Sequence, residues 1–515
     1  TVILKRIQQP VTPLRPIEQI LDYRPLVWTP GDKFHATVTV RRNSISTILN
    51  DSMRMYVELK THRPGKIGLI SDLPAKFHRV EVKVLKGEQR KLNRRKRQLA
   101  RKEDLQLGGH PEMVRWKALD TRGFGTDQNL RLGDVTGDGN KEILFIRPGL
   151  TNGSSVVYLC AMNLDGDKLW QHGTPDSPVL DAGVELPVQV HDLDGDGSRE
   201  VIFVNEGSIH ILDGKNGQLL RSVEVPGSID VQSITFGDLL ATGRDNCILL
   251  SDRTNHLVVL NERLEMLWKQ EVRKGSLPLV YDMNRDGHQE VLMGFSVFDH
   301  LGELMFDVGA FIGDQCYGIA VHELQVGLRM IPCLIYAAGD WGLMYFDFSG
   351  NLLKQNIMGH VRYVSIAELD AERPGLEAAT SNGWGSDGQI HIMDASGQEV
   401  LNFMPVSGGG RCLPVNWKGD GEEFFITTAD SIRGGMYDVK GQLAVEFPTD
   451  GHPVSCYIVQ DLTGDARDEI LVWNRQELWI YTQDDNPRMG NTYAPDRLPL
   501  YNHSMHRMNH SFPGW

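Results

Sequence analysis

An apolar pair, an Asp or Asn, a glycine-bearing turn and a second apolar run recur along most of this 515-residue chain. The motif reads Ile211-Leu-Asp-Gly-Lys-Asn-Gly217, Tyr345-Phe-Asp-Phe-Ser-Gly350, Ile392-Met-Asp-Ala-Ser-Gly397 and Met436-Tyr-Asp-Val-Lys-Gly441, with further copies between them. Its central column falls at Asp165, Asp213, Asn261, Asp299, Asp347, Asp394, Asp438 and, in a degraded last copy, Thr482. Successive members stand 38 to 48 residues apart. An interval in the forties is worth about four short strands, the content of one propeller blade. Glycine, present in most of these bends, accepts the positive φ of a tight hairpin without steric cost. The spacing predicts an all-β fold, an eight-bladed β-propeller, with seven blades as the alternative count. Residues 111–515 would form it, and residues 1–110 a small β-rich region and basic linker.

Four copies carry an acidic loop just ahead of an apolar strand. These are Asp134-Val-Thr136-Gly-Asp138-Gly-Asn-Lys-Glu142, Asp192-Leu-Asp194-Gly-Asp196-Gly-Ser-Arg-Glu200, Asp282-Met-Asn284-Arg-Asp286-Gly-His-Gln-Glu290 and Asp461-Leu-Thr463-Gly-Asp465-Ala-Arg-Asp-Glu469. Oxygen-bearing side chains at positions 1, 3, 5 and 9 suit a hard cation, and calcium is the expected one. The EF-hand loop places its Glu at position 12 between helices; this shorter loop lies between strands. Glu368–Glu377 and Asn416–Glu423 occupy the same register with ligands lost or a residue inserted, and Gly237–Gly243 is weaker still. Metal is therefore expected in roughly half of the blades, where it would pin loops and couple binding to folding.

Composition narrows the partners. A net charge of −14 argues against nucleic acid, and no run approaches the ~18–20 apolar residues that span a bilayer. Cys160, Cys247, Cys316, Cys333, Cys412 and Cys456 form no paired zinc spacing; those in strand-like runs read as small buried hydrophobes. Near the N-terminus, Lys33–Val40 and His78–Val84 alternate like half-buried strands. The basic run Arg90–Arg97 with Arg101 and Lys102 reads as a solvated junction ahead of the repeats.

From Thr126 to Phe512 the order of segments resembles the rhamnogalacturonan lyases of polysaccharide lyase family 11. The resemblance rests on Leu132–Gly139, His191–Gly197, Leu212–Gly217, Asp252-Arg-Thr254, Gly359-His360, Asp370-Ala-Glu-Arg-Pro-Gly-Leu-Glu377, Gly409-Gly-Arg411 and an Asn/His-rich tail. It implies an eight-bladed calcium-binding propeller that cleaves a rhamnose–uronate backbone by β-elimination, an acidic polysaccharide or oligosaccharide as partner, and an extracellular setting. The chain departs from the family pattern in three places: after Gly359-His360 it reads Val361-Arg362-Tyr363, ahead of the Asp282 loop it reads Arg273–Pro278, and residues 1–110 offer no counterpart of the family's N-terminal domain. A rhamnose–glucuronate linkage is therefore an alternative to rhamnose–galacturonate.

β-Elimination next to a uronate needs a group that neutralises the carboxylate, a base for the C5 proton, and stabilisation of the leaving oxygen. Matching to the family makes His360 the acid or base, Arg411 the carboxylate clamp and Tyr363 a proton donor, with Arg253 and His452 binding substrate. The tail Asn502–His510 has two readings, lining the pocket or closing the ring as its last strand, and ring closure is the expected one. Two other functions fit the same scaffold: a propeller that only binds glycans or proteins, and a glycoside hydrolase, which would need paired carboxylates.

Overall fold

The computed structural model describes residues 2–8, 17–29, 31–41, 44–58, 76, 78–83, 87, 90 and 94 near the N-terminus, then 109–485 with breaks at 151–154, 176–184, 253–254, 274–276, 384–387, 406–409 and 431–433, and finally 492–495 and 510–511. It divides into two compact units, 1–100 and 101–515. In the first, Val2–Gln8 pairs with Ile17–Arg24, and Ala36–Arg41, Ser44–Leu49 and Met53–Glu58 form a three-stranded sheet. Ala36–Arg41 is exposed along its whole length, not half-buried as its alternation suggests. Residues 78–83 form no strand at all. Val80 and Val82 stay exposed there, because alternation specifies a face only where another layer covers it. Of the basic run, only Arg90 and Arg94 fall within the described residues.

The second unit is all-β among the described residues, with seven four-stranded sheets and one of five strands. Consecutive strands pair antiparallel as meanders. In the first sheet they are Asn129–Gly133, Glu142–Pro148, Val156–Met162 and Lys168–Gly173. Six further sheets follow within 188–224, 233–271, 279–307, 318–356, 361–403 and 413–446. The eighth joins Cys456–Gln460, Glu469–Trp473 and Glu477–Gln483 to Met113–Asp120. First, second and third strands are largely buried, whereas the fourth faces water: Leu219–Glu224 is exposed at every position.

The buried strands read as continuous apolar runs because each sheet packs between two others. One core holds Leu144 of the first sheet with Val190 and Val201 of the second, and another holds Ile202 with Phe236 of the third. The same pairing of neighbours continues through the seventh sheet. A last core brings together Phe145 of the first sheet, Phe424 of the seventh and Trp473 and Tyr481 of the eighth. Each such large side chain contributes about 1.5–3 kcal/mol on burial.

The recurrent turns lock neighbours together. Asp213 Oδ1 accepts from Lys215 N at 2.8 Å, and Gly217 donates its N–H to Asp213 O at 2.8 Å. Asp299, Asp347, Asp394 and Asp438 repeat the pattern. In the first sheet Asn163, not Asp165, plays this part: its Oδ1 accepts from Asp165 N and Asp167 N. Trp170, from the fourth strand of the first sheet, lies on Gly217 of the second and donates its indole N–H to Gly214 O at 2.6 Å. Trp268 sits likewise on Gly302 and donates to His300 O.

Thr482 makes no such turn. It lies inside the third strand of the eighth sheet, opposite Val114, and the fourth strand comes from Met113–Asp120. The C-terminal tail was expected to fill that place; its described part, His510–Ser511, instead runs parallel to Ile319 and Ala320 in the fifth sheet. An edge next to Glu477–Gln483 is already taken, so the tail pairs with another open edge. All six cysteines are buried and free.

Candidate functional site

Antiparallel meanders sort the loops between two ends of each sheet. The link from first to second strand, and that from third to fourth, share one end; the approach to the first strand and the second-to-third link share the other.

All four acidic loops lie at the first of these ends, and they repeat one hydrogen-bond scheme. Asp134 Oδ1 accepts from Gly137 N at 2.7 Å and Oδ2 from Gly139 N at 2.9 Å, while Glu142 Oε2 accepts from Val135 N at 2.9 Å. Asp192 with Glu200, Asp282 with Glu290 and Asp461 with Glu469 do the same. Position 4 as well as position 6 takes positive φ: Gly137 and Gly139 at 76° and 91°, Arg285 and Gly287 at 62° and 91°, Gly464 and Ala466 at 77° and 72°. Such a bend turns several carboxylates inward. Ligand oxygens of Asp192, Asp194 and Glu200 lie within 4.8 Å of one another. Burial, then the neighbouring carboxylates of each loop, push the carboxyls of Glu200 and Glu469 up to about 7, and Glu142 and Glu290 rise in the same way. An all-oxygen set whose closing glutamate resists ionisation without a cation beside it fits a hard divalent ion.

The sixth sheet keeps the closing Glu of this loop: Glu377 Oε2 accepts from Leu369 N and Asp370 N, and burial pushes its carboxyl up to about 8. In the fifth sheet Gly318–Val326 and Arg329–Ala337 are joined directly at Gly327 and Leu328, with no acidic loop.

The other end holds a different constellation. His360, which precedes the first strand of the sixth sheet (Val361–Ala367), is almost fully buried. Its Nδ1 lies 2.8 Å from Asp340 Oδ1 and 3.6 Å from Asp314 Oδ2. Asp340 follows the second strand of the fifth sheet and Asp314 precedes the first. Asp340 N donates to Asp314 Oδ2 at 2.9 Å, and Gly339 exchanges backbone hydrogen bonds with Val361, so the two sheets are tied beside the imidazole. Tyr317 meets the His360 ring edge-on at 5.0 Å and donates a long hydrogen bond to Asp314 Oδ1 at 3.5 Å. The three groups Asp314, Asp340 and His360 are also close enough to share a cation.

A β-bulge at Val361/Tyr363 then places two consecutive side chains. Arg362 lies over the Tyr317 ring, its guanidinium carbon 5.7 Å from the centroid. Tyr363 lies under Arg411, whose guanidinium carbon is 5.6 Å from that ring. Arg411 leads into the first strand of the seventh sheet and also acts on Tyr457, whose hydroxyl burial pushes upward and which donates to Thr427 O at 2.8 Å.

Of the residues expected at the site, His360, Tyr363 and Arg411 thus fall at one end of adjacent sheets. His452 approaches the eighth sheet at the same end, but both ring nitrogens are engaged, Nδ1 with Asp450 Oδ1 and Nε2 with Ala429 O, each at 3.1 Å. Its ring stacks on Phe447, so it braces the seventh and eighth sheets. Arg253 lies outside the described residues. Asp314, Tyr317, Asp340 and Arg362 were not anticipated. Arg362 had only shown itself as a departure from the family motif, and the Asp residues sit in loops whose shared end emerges only from strand order.

This is a many-sheeted β architecture with a polar His/Asp/Arg/Tyr cluster at one end of adjacent sheets. No family model matches the chain. It is similar to rhamnogalacturonan endolyase YesW of Bacillus subtilis (strain 168), with 25% identity over 428 residues, 68% of this chain and 66% of that protein. Among solved structures it is similar to rhamnogalacturonan lyase YesW (TM-score 0.57, 18% identity, 78% of this chain and 80% of that one). The exotype rhamnogalacturonan lyase YesX gives a TM-score of 0.56 at 18% identity, covering 78% and 80%. The Bacillus licheniformis rhamnogalacturonan lyase PL11 gives 0.56 at 16%, covering 91% and 85%. The chain thus shares its fold with these solved structures and is similar in sequence to one rhamnogalacturonan endolyase.

Proposed function

We propose that this chain is a calcium-dependent polysaccharide lyase that cleaves a rhamnose–uronate linkage by β-elimination on an eight-bladed propeller. The observation that carries the reading is the pairing of His360 with Asp340 one bulge away from Arg411 over Tyr363. Cores shared from sheet to sheet in cyclic order, the eighth with the first, support the blade count. The acidic loops would hold Ca2+, which when bound supplies charge neutralisation and rigidity at the end away from His360.

Arg411 binds the uronate carboxylate, and its charge makes the C5 proton more acidic. Asp340 fixes the imidazole of His360 through Nδ1, and His360 is the base that takes the C5 proton. Electrons of the C–H bond then form the C4–C5 double bond as the C4–O bond breaks. Tyr363, held by Arg411, donates a proton to the departing oxygen. A glycan of this size and charge would be met outside the cell.

Incubation with rhamnose–galacturonate and rhamnose–glucuronate polymers tests the proposal and selects the linkage. Appearance of the ultraviolet band of a 4,5-unsaturated uronate, lost in Arg411→Ala, is expected. New reducing ends without that band would replace elimination by hydrolysis; binding without either product would leave a glycan-binding propeller.

A further inference from the structure

Trp341 directly follows Asp340, and Phe311 lies three residues before Asp314, so the two carboxylates facing His360 each have a large aromatic neighbour in sequence. Both aromatics are exposed: Trp341 at 38% and Phe311 at 80%, against 44% for Phe34, the other exposed phenylalanine among the described residues. They lie against one loop, since a Cβ placed on Gly313 would sit 3.4 Å from Trp341 Nε1.

The indole's backbone is held fast. Ala338 N donates to Gly342 O and Trp341 N to Ala338 O, while Gly339 is paired with Val361 next to His360. Gln355 Nε2 caps Trp341 O at 3.0 Å. Trp116, comparably exposed, has the Lys117 ammonium over its ring and belongs to the strand that completes the eighth sheet. Trp341 instead faces water beside the imidazole cluster, in a setting where flat aromatic area commonly marks a ligand surface.

Charge decides which sugar this surface takes. Segments 307–317 and 338–342 contain Asp307, Asp314 and Asp340 but no Lys or Arg. Of the nearby guanidinium groups, that of Arg362 already lies over the Tyr317 ring beside Asp314, while that of Arg411 stands on the seventh sheet over Tyr363. A carboxylate-bearing unit is drawn to Arg411, and its neighbour, lacking a carboxylate, falls over the aromatics. A deoxyhexose presents an apolar C–H face and a methyl group there, and both pack well on an indole.

We propose that Trp341 and Phe311 form a stacking platform for the neutral deoxyhexose unit and thereby set the direction in which the glycan crosses the site. This rests on the lyase reading above. Calorimetry on the full chain, with a rhamnose–galacturonate oligosaccharide and an oligogalacturonate, tests it through Trp341→Ala and Phe311→Ala. Each variant should weaken binding of the rhamnose-containing ligand by roughly tenfold and leave oligogalacturonate unchanged. Trp341→Phe should recover most of the loss and Trp341→Leu little. In turnover, KM should rise while kcat and its pH profile hold. Phe311 is too exposed for its loss to unfold the protein. Unchanged rhamnose binding in both alanine variants, or equal loss for both ligands, overturns the platform. If wild-type protein still makes unsaturated uronate in that case, the lyase reading survives alone; if wild type neither binds nor cleaves, both fall.

Discussion

At the end of the sheets that carries the acidic loops, the same hydrogen bonds recur at Asp134, Asp192, Asp282 and Asp461. At the opposite end, among the described residues, three neighbouring sheets supply different groups: the fifth Asp314 and Asp340, the sixth His360 and a bulge, the seventh Arg411. Regular loops suit a task repeated in several sheets, namely holding sheets in place. Singular loops suit a task done once, because groups from different sheets must converge on one substrate. In the proposed function, stability and chemistry are separated along the length of the strands, and disturbing one end should leave the other's readout alone.

The strongest test is His360→Ala, which should lower turnover by about 10²–10⁴-fold with metal content unchanged; undiminished turnover would remove His360 from the chemistry. Chelation should act at the other end and chiefly on melting. Each occupied site adds about 2.7 kcal/mol when free calcium exceeds Kd hundredfold, so a thermal scan with and without chelator should separate by several degrees. Metal analysis finding fewer than two ions per chain would break the loop reading.

The pH dependence of the metal-free protein follows from its buried glutamates. Glu200 and Glu469 are raised to about 7 and Glu377 to about 8, from an ordinary 4.5. The folded state therefore holds protons that the unfolded chain has released. Stability from these groups is full below pH 4.5 and is lost as pH rises through 7 to 8. Chelated protein should melt higher at pH 5 than at pH 8, and calcium should reverse that order. Gly217→Ala should cost about 1–3 kcal/mol, because φ is 70° there and a Cβ would meet the Trp170 ring at 2.6 Å. The smallest effect belongs to Ala466→Gly, which should stabilise by about 0.5–1 kcal/mol by relieving a φ of 72°.

The same contrast governs what could be read from residues alone. Repetition made the acidic loops and the Asp213-type turns legible, since each copy corroborates the next. The first copy still slipped by two positions, because Asn163 and Asp165 both offer a side-chain oxygen and only hydrogen bonding distinguishes them. His360, Tyr363 and Arg411 came from resemblance, and nothing in local sequence marks Asp314 or Asp340 as their neighbours. Those carboxylates belong to the site through strand direction and sheet order, which no short motif encodes. The alternating valines near residue 80 misled for a related reason: periodicity describes a face, and nothing in a single segment says whether a partner covers it.

The eighth sheet borrows its outer strand from the start of the unit, and Glu112 N meets Asp484 Oδ1 across 372 positions. On the ribosome, Met113–Asp120 must wait with an unsatisfied hydrogen-bonding edge until nearly all of the unit has been made. Such a long wait favours slow maturation and makes the nascent chain vulnerable to pairing with a stranger. Once the late residues arrive, however, the two ends of the unit are zipped together, and peeling either terminus means breaking a whole row of backbone bonds at once.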